Sequence, residues 1–107
     1  MRQPVTQQEN GHGAMTRDAI NALAAVLREA MQASGEDSHA NMVWLALASW
    51  LRNNSMMPVV LALGRGQRFS QPLLAGGQTY ILSIAQAAPP AHQMTLRRTS
   101  DGKTWQV

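Results

Sequence analysis

The spacing of apolar residues changes along the chain, and this change limits the possible folds more than any other feature. Between residues 16 and 53 the apolar residues recur every three or four positions, as in amphipathic helices. Beyond residue 55 the apolar segments are short and are separated by glycine and proline, as in strands and turns. We therefore predict an α+β fold. Two N-terminal helices pack on a small antiparallel sheet of three to four strands, which ends in a C-terminal β-hairpin.

The first predicted helix runs from an N-cap at Thr16 to about Ser34, and Gly35 is well placed to end it. Its apolar face collects residues at helical spacing: Ile20, Leu23, Ala24, Leu27 and Met31. The segment before it, residues 1–14, is polar and lacks the apolar core of a secretory signal. We interpret this segment as a disordered tail and residues 15–107 as a single α+β domain.

The second predicted helix begins at an N-cap near Ser38 and ends near Asn53. Its middle, MVWLALASWL, is apolar on nearly all sides, as expected of a helix that is central to the core or shared with a second molecule. Trp44 and Trp50 are six residues apart and should point to different sides of this helix. Because a sheet covers only one side, the pattern favours a homodimer or another partner.

Two short apolar segments after this helix are predicted to be strands. They are residues 56–63, with a proline near the start, and residues 78–86, which have the pattern of an inner strand. Residues 64–72 are predicted to form a turn-rich connection, with at most a brief strand at residues 67–69. Residues 87–91, AAPPA, are predicted to be a stiff extended link.

The segment HQMTLRRTSDGKTWQV, residues 92–107, predicts a β-hairpin with Asp101 and Gly102 as a two-residue type I′ turn. This turn pairs Arg98 with Trp105 and places both on the inner face. Arg98 is then expected to lie across Trp105 at the rim of the core, a cation–π contact worth about 0.5–1 kcal/mol. The neighbouring Arg97 should stand on the outer face, where a ligand or solvent can reach it.

The composition favours an interaction protein over a catalyst. Only 14% of the residues are charged, against about 25% in an average domain, and a surface so poor in charge tends to associate. The chain has no cysteine, and its three histidines do not stand at metal-ligand spacing, so we predict no metal and no cofactor. No apolar run approaches the length of a membrane span, so we expect no membrane contact. The absence of cysteine and of a secretory signal favours a cytoplasmic protein, and secretion by a route without a signal is the alternative.

The leading functional hypothesis is a non-catalytic protein–protein interaction module, such as a regulator, inhibitor or adaptor, in the form of a monomer or a homodimer. Tryptophan and arginine are the residue types most often found as interface hot spots. The candidate binding residues are therefore tryptophans and the basic residues of the second half of the chain: Trp44, Trp50, Arg65, Arg68, Arg97, Arg98, Lys103 and Trp105.

The charge distribution supports a second hypothesis, nucleic-acid binding. Residues 1–51 hold three basic against five acidic residues, a net charge of −2, whereas residues 52–107 hold six basic against one acidic residue, a net charge of +5. Single-strand binders combine such a positive surface with stacking aromatic rings. The aromatic residues available in the basic half are Phe69, Tyr80 and Trp105.

The segment GRGQR, residues 64–68, is similar to glycine-rich phosphate loops, whose backbone N–H groups cradle an anion. In such a loop Arg65 and Arg68 would bind phosphate. A plain β-turn is the alternative, because the third glycine and the following helix of a dinucleotide fingerprint are missing.

A third hypothesis comes from the order of two segments. SHANMVWLALASWL, a buried helix, is followed much later by HQMTLRRTSDGKTWQV, a strand that starts at His92. This order resembles papain-like cysteine hydrolases, in which the nucleophile begins a buried helix and the histidine begins a later strand. The resemblance implies His92 as the base, but Ala40 stands where the cysteine is expected. It therefore implies a hydrolase that is inactive or lacks its nucleophile.

Overall fold

The computed structural model describes residues 16–86 and 92–107 in full and, for residues 3–15, the helical backbone alone. Three helices come first: α1 (Gln3–Ala33), α2 (Asp37–Asn53) and α3 (Met57–Gly64). Four strands follow: β1 (Phe69–Ala75), β2 (Gln78–Gln86), β3 (His92–Arg98) and β4 (Thr104–Gln106). They form an antiparallel sheet in the order β1-β2-β3-β4. The predicted α+β fold is confirmed, and α3 is an addition to it.

The helices cover one face of the sheet. α1 lies against β3 and β4, α2 against β1, and α3 against β1 and β2. Because side chains alternate along a strand, every second residue faces the helices and is buried. This inner row comprises Leu73, Ala75, Tyr80, Leu82, Ile84, Met94, Leu96, Arg98 and Trp105. The helices complete the core with Ile20, Ala24, Leu27, Met31, Ala40, Val43, Leu47, Leu51, Met56, Val59 and Leu63.

The other side of the sheet, which we name the open sheet face, is covered by no element of the described part of the chain. Its residues are Ser70, Pro72, Leu74, Thr79, Ile81, Ser83, Ala85, Gln93, Thr95, Arg97, Thr104 and Gln106. Leu74 is 74% exposed, the highest value among the large apolar residues of the described chain. An antiparallel sheet with one solvated face commonly shows this mixture of threonine, serine and charge.

α1 begins at Gln3, so the predicted N-cap at Thr16 lies inside the helix. The predicted polar tail, residues 1–14, has no described side chains and stays a prediction. None of the helices in the described part of the chain has the length and apolar character needed to cross a bilayer.

A Schellman cap ends α1 at Gly35, as the glycine predicted. Gly35 has a φ of 85° and donates its N–H to the Gln32 carbonyl at 3.0 Å, while Glu36 donates to the Met31 carbonyl at 2.9 Å. The same turn makes Glu36 the N-cap of α2, and its carbonyl accepts the Ala40 N–H at 2.8 Å. The predicted N-cap at Ser38 is therefore wrong, because the chain has already turned into α2 before reaching it.

Residues 56–63, predicted as a strand, belong mainly to the helix α3. Periodicity alone cannot distinguish such a short apolar run from a buried strand. Pro58 sits in the first turn of the helix, where its missing N–H is tolerated. Met56, Val59 and Leu63 recur at helical spacing and are buried, while Leu61 stays half-exposed.

β1 occupies much of the predicted connection 64–72 and extends to Ala75, well beyond the brief strand predicted at residues 67–69. Pro72 lies in this strand because β1 is at the edge of the sheet, where a missing N–H removes no hydrogen bond to β2. The Gln71 amide donates to the Pro72 carbonyl at 3.1 Å. Strand β2 has the predicted bounds, and the predicted link 87–91 lies outside the described residues.

The C-terminal hairpin forms, but its register differs from the prediction by two residues. Trp105 pairs with Leu96 instead of Arg98, so the loop comprises residues 99–102. The Asp101 carboxylate stabilises this wider loop, because it accepts the Lys103 N–H at 3.0 Å. A shift of two residues leaves the faces unchanged. Arg98 and Trp105 are buried and Arg97 is exposed, as predicted.

Candidate functional site

Arg98 ties the C-terminal hairpin to the turn between α1 and α2. It forms two parallel bonds with Glu36, Nη1 to Oε1 at 3.0 Å and Nη2 to Oε2 at 3.2 Å. It forms two more with Asp101, Nε to Oδ1 at 3.1 Å and Nη2 to Oδ2 at 2.9 Å. The fifth N–H reaches the Tyr80 hydroxyl at 3.5 Å. A guanidinium has five donors, so Arg98 has none left for a ligand.

Aromatic rings complete what we name the Arg98 cluster, which consists of Glu36, Tyr80, Arg98, Asp101, Lys103 and Trp105. The Arg98 guanidinium lies 5.5 Å from the Trp105 ring centre, which confirms the predicted cation–π contact. Lys103 Nζ lies 5.3 Å from the same ring and 3.2 Å from Glu36 Oε2. The Trp105 indole N–H donates to Ser34 Oγ at 3.1 Å, which ties the hairpin to the end of α1.

The electrostatics of the Arg98 cluster are those of a structural ion network. Hydrogen bonds from Arg98 and then Lys103 lower the pKa of Glu36 from 4.5 to about 2. Hydrogen bonds from the Arg98 side chain and the Lys103 backbone lower the pKa of Asp101 from 3.8 to about 2. Asp101 and Glu36 in turn raise the pKa of Arg98. The charges compensate one another within the fold, so the cluster stabilises the hairpin.

We expect the stability of the protein to fall with acid in a way that depends on Glu36. A carboxylate whose pKa is lowered by folding stabilises the native state at neutral pH. That stabilisation is lost as the pH falls from about 4.5 towards about 2, the unfolded and folded pKa values of Glu36. As the pH is lowered across this range, the urea concentration at the midpoint of unfolding should fall more steeply for the wild type than for Glu36→Gln. Equal slopes would mean that Glu36 is not held in the cluster.

The other predicted basic residues lie on different surfaces. Arg97 stands on the open sheet face, paired across the strands with Ile81 and Thr104. Arg65 and Arg68 are exposed in the connection between α3 and β1. Lys103 is partly exposed and takes part in the Arg98 cluster. The structure therefore spreads the predicted basic residues over three regions instead of one patch.

The GRGQR segment is the C-terminal cap of α3. Gly66 has a φ of 71° and donates to the Leu63 carbonyl at 3.0 Å, and Gln67 donates to the Ala62 carbonyl at 2.8 Å. These two bonds form a second Schellman cap. Phosphate loops precede a helix N-terminus, whereas this loop follows a C-terminus, whose partial negative charge repels anions. The local geometry thus gives no support to a phosphate loop.

The two tryptophans of α2 point to different sides, as predicted. Trp50 packs against Phe69 of β1, with 5.8 Å between ring centres. Trp44 faces α1, where the Arg28 guanidinium lies 5.3 Å from its ring centre. Both rings are half-buried against the core, and α1 covers part of Trp44, the tryptophan that the sheet does not cover.

An open groove of about 400 Å³ runs between α1 and α2 on their solvent side, lined by Arg17, Asp18, Asn21, Ala48, Leu51 and Arg52. Helical spacing continues this surface from Ala48 to Leu45, Trp44 and Asn41 on α2, and Arg28 faces Trp44 from α1. We name these ten residues the helical groove. Leu45, one of these ten residues, is 66% exposed.

The arginines of the helical groove differ in how many of their donors are occupied. Arg17 donates to the carbonyls of Leu51 and Asn54 and so caps the end of α2. Arg28 donates one bond to Asn41 Oδ1 at 2.8 Å, while its Nε is buried without a partner. Arg52 is exposed and forms no hydrogen bond or ion pair with the described residues. A partner cannot reach the buried Nε of Arg28, so Arg52 is the arginine of the helical groove that keeps all its donors for a partner.

The sequence pattern did not identify this groove as a site. Arg17 and Arg28 stand eleven residues apart on one side of α1, which is three helical turns, and this spacing was visible. Their position opposite Trp44 and Arg52 depends on how α1 and α2 pack, which no local pattern encodes.

The residues of the hydrolase hypothesis do not meet. Ala40 is buried in the first part of α2, close to Glu36 and therefore to the Arg98 end of β3. His92 begins β3, and six strand residues separate the two ends by about 20 Å. A base must reach its nucleophile within hydrogen-bond distance, so this arrangement does not form a catalytic pair.

The aromatic rings of the nucleic-acid hypothesis face inwards. Tyr80 and Trp105 are buried, and Phe69 is half-buried against Trp50. Stacking on single-stranded bases requires exposed ring faces. The described residues also contain no group of three or more histidine or acidic side chains that could hold a metal ion.

Comparisons with known proteins found no protein family, no curated protein and no solved structure that matches this chain.

Proposed function

We propose that the protein is a small non-catalytic interaction module and that it binds another protein through the helical groove. The observation that carries this proposal is one surface of α1 and α2, on which the open groove beside Arg17 and Arg52 is continued along α2 by a two-thirds exposed leucine and a half-buried tryptophan. Tryptophan and arginine are enriched among interface hot spots, and an exposed leucine on the same surface adds apolar area that a partner can bury.

The shape and the residue types of the helical groove favour it over the open sheet face as the binding surface. The helical groove contains a shallow depression lined by Arg17 and Arg52, and Trp44 and Leu45 lie further along the same surface, with Arg28 over the Trp44 ring. The open sheet face is dominated by serine and threonine, with Leu74 and Arg97 as its main candidates. Both surfaces offer one well-exposed leucine, so each supplies the control for the other.

The proposal is tested by finding a partner in cells and determining which surface of the protein it contacts. A photo-crosslinking residue is placed at Leu45 or, in a second version, at Leu74, in cells that express the chain. The crosslinked protein is identified and purified, and its affinity is then measured in vitro. We expect crosslinking from position 45 and not from position 74.

We expect Leu45→Asp to weaken binding of that purified partner by about tenfold or more, since a carboxylate would replace a buried apolar anchor. Leu74→Asp makes the same chemical change on the open sheet face and should leave the affinity within about twofold. Both side chains are exposed in the free protein, so neither change should unfold it. A loss with Leu74→Asp alone would move the site to the sheet, and a self-crosslink would make the partner a second copy.

A further inference from the structure

We propose that the helical groove takes an amphipathic helix of the partner with acidic residues about three turns apart. This inference rests on the proposed function, because it names the partner of the same groove. Three features of the structure support an acidic helix: the sheet edges, the shape of the groove and the spacing of its arginines.

Addition of a partner strand is the main alternative to a helix, and both edges of the sheet oppose it. On β1, Pro72 lacks an N–H, and its carbonyl already accepts the Gln71 amide at 3.1 Å. On the other edge, β4 has three residues, Thr104–Gln106, which is too short to hold a strand by main-chain bonds. The partner is therefore not expected to extend the sheet.

A groove between two antiparallel helices has the shape of a third helix, because side-chain ridges of one helix pack into such grooves at about 8–10 Å between axes. Ala48 and Leu51 are the apolar residues that line the groove, and Leu45 and Trp44 continue this apolar surface along α2. Helix-in-groove recognition uses such a floor to hold apolar residues at positions i, i+3 or i+4, and i+7 of the incoming helix.

The positive charge of the helical groove favours a partner helix with acidic residues. Three of the four charged residues of the groove are arginines, against Asp18 alone. Glu29 follows Asp18 by eleven residues and so lies on the same side of α1, which leaves this surface with three arginines against two acidic residues. A second copy of the chain, placed face to face, would set these arginines against one another, whereas an acidic helix would pair with them.

The positions of the arginines predict how far apart the acidic residues of the partner helix should be. Arg17 and Arg28 are eleven residues apart in α1, which is about 16 Å. Arg52 lines the same end of the groove as Arg17. A helix lying along the groove covers this distance in three turns, so its acidic residues should recur at i and about i+11. One should meet Arg28, and the other Arg52 beside Arg17.

Selection from a library of random peptides tests the preference for an acidic helix and requires no known partner. A display library of random peptides of about 16 residues, long enough for three turns and flanks, is selected on the immobilised protein. A parallel selection uses the double variant Leu45→Asp/Arg52→Glu. We expect peptides enriched only on the wild type, with apolar residues at helical spacing and acidic residues about eleven positions apart.

A charge exchange then tests the pairing. Arg52→Glu should weaken an enriched acidic peptide by about tenfold or more, and a glutamate-to-lysine version of the peptide should regain affinity for this variant. Arg68→Glu is the matched control, because it makes the same charge change at an exposed residue outside the groove. A helix-breaking proline in the middle of the peptide should abolish binding.

Three results would overturn the inference: no peptide enriched over the double variant, enriched peptides without the helical acidic pattern, or equal losses with Arg52→Glu and Arg68→Glu. If a cellular partner crosslinks at Leu45 while the peptides fail in this way, the proposed function stands and the acidic helix is rejected. If crosslinking at Leu45 fails as well, both are rejected.

Discussion

Replacing Arg98 with alanine is expected to lower the free energy of unfolding by about 3 kcal/mol, which is one of the two largest single effects we predict. The side chain is 9% exposed and its partner Glu36 is 16% exposed, so the substitution leaves a carboxylate poorly solvated and without its main partner. It also removes the cation that lies over Trp105. For a domain of this size the melting temperature should fall by about 12–24 °C.

Arg97 is the natural control for this change. It is the adjacent residue of the same strand, with the same side chain, but it is exposed on the open sheet face. Arg97→Ala should change the free energy of unfolding by less than about 0.5 kcal/mol. Urea unfolding of the two variants and the wild type measures both values. Similar losses in the two variants would contradict the structural role of the Arg98 cluster.

Replacing Leu82 with alanine is expected to cost about 3 kcal/mol as well, because the change leaves a cavity in the core. Leu82 lies in β2, an inner strand, and its side chain is fully buried under the helices. Leu74→Ala removes the same atoms from the opposite face, where the side chain is 74% exposed, and should cost less than about 0.5 kcal/mol.

The comparison of these two leucines tests which face of the sheet the helices cover. Urea unfolding gives the free energies, and an unchanged slope with denaturant would show that both variants unfold from the same native state. If Leu74→Ala proved as costly as Leu82→Ala, the face named open here would be covered, and the sheet would be packed on both sides.

Local sequence patterns were sufficient for much of the fold. The apolar segment after Gly76 and Gly77, residues 78–86, was predicted as an inner strand and is β2 with the same bounds, and Gly35 marked the end of α1, because each feature depends on neighbouring residues. The pattern failed for residues 56–63, which are too short for periodicity to separate a helix from a strand. It also failed for the hairpin register, because Asp101 binds Arg98 and Lys103 and widens the turn.

The candidate site was harder to predict because its residues are distant in sequence. Glu36 and Arg98 are 62 positions apart, and their contact changes Arg98 from an apparent binding residue into a structural one. Conversely, Arg28 and Arg52 become candidates only because α1 and α2 pack together, which sets Arg28 over Trp44 and Arg52 beside Arg17 in the groove. Composition indicated an interaction protein with tryptophan and arginine at its surface, but packing decides which of them a partner can reach.

One titration tests the location of the binding site most directly. The indole N–H of Trp44 and the Nε–H groups of Arg28 and Arg97 give separate NMR signals, the first two from the helical groove and the third from the open sheet face. We expect the crosslinked partner, added to the labelled protein, to shift or broaden the signals of Trp44 and Arg28 and to leave Arg97 unchanged. A response of Arg97 with silent Trp44 and Arg28 signals would contradict binding in the groove and place the partner on the sheet.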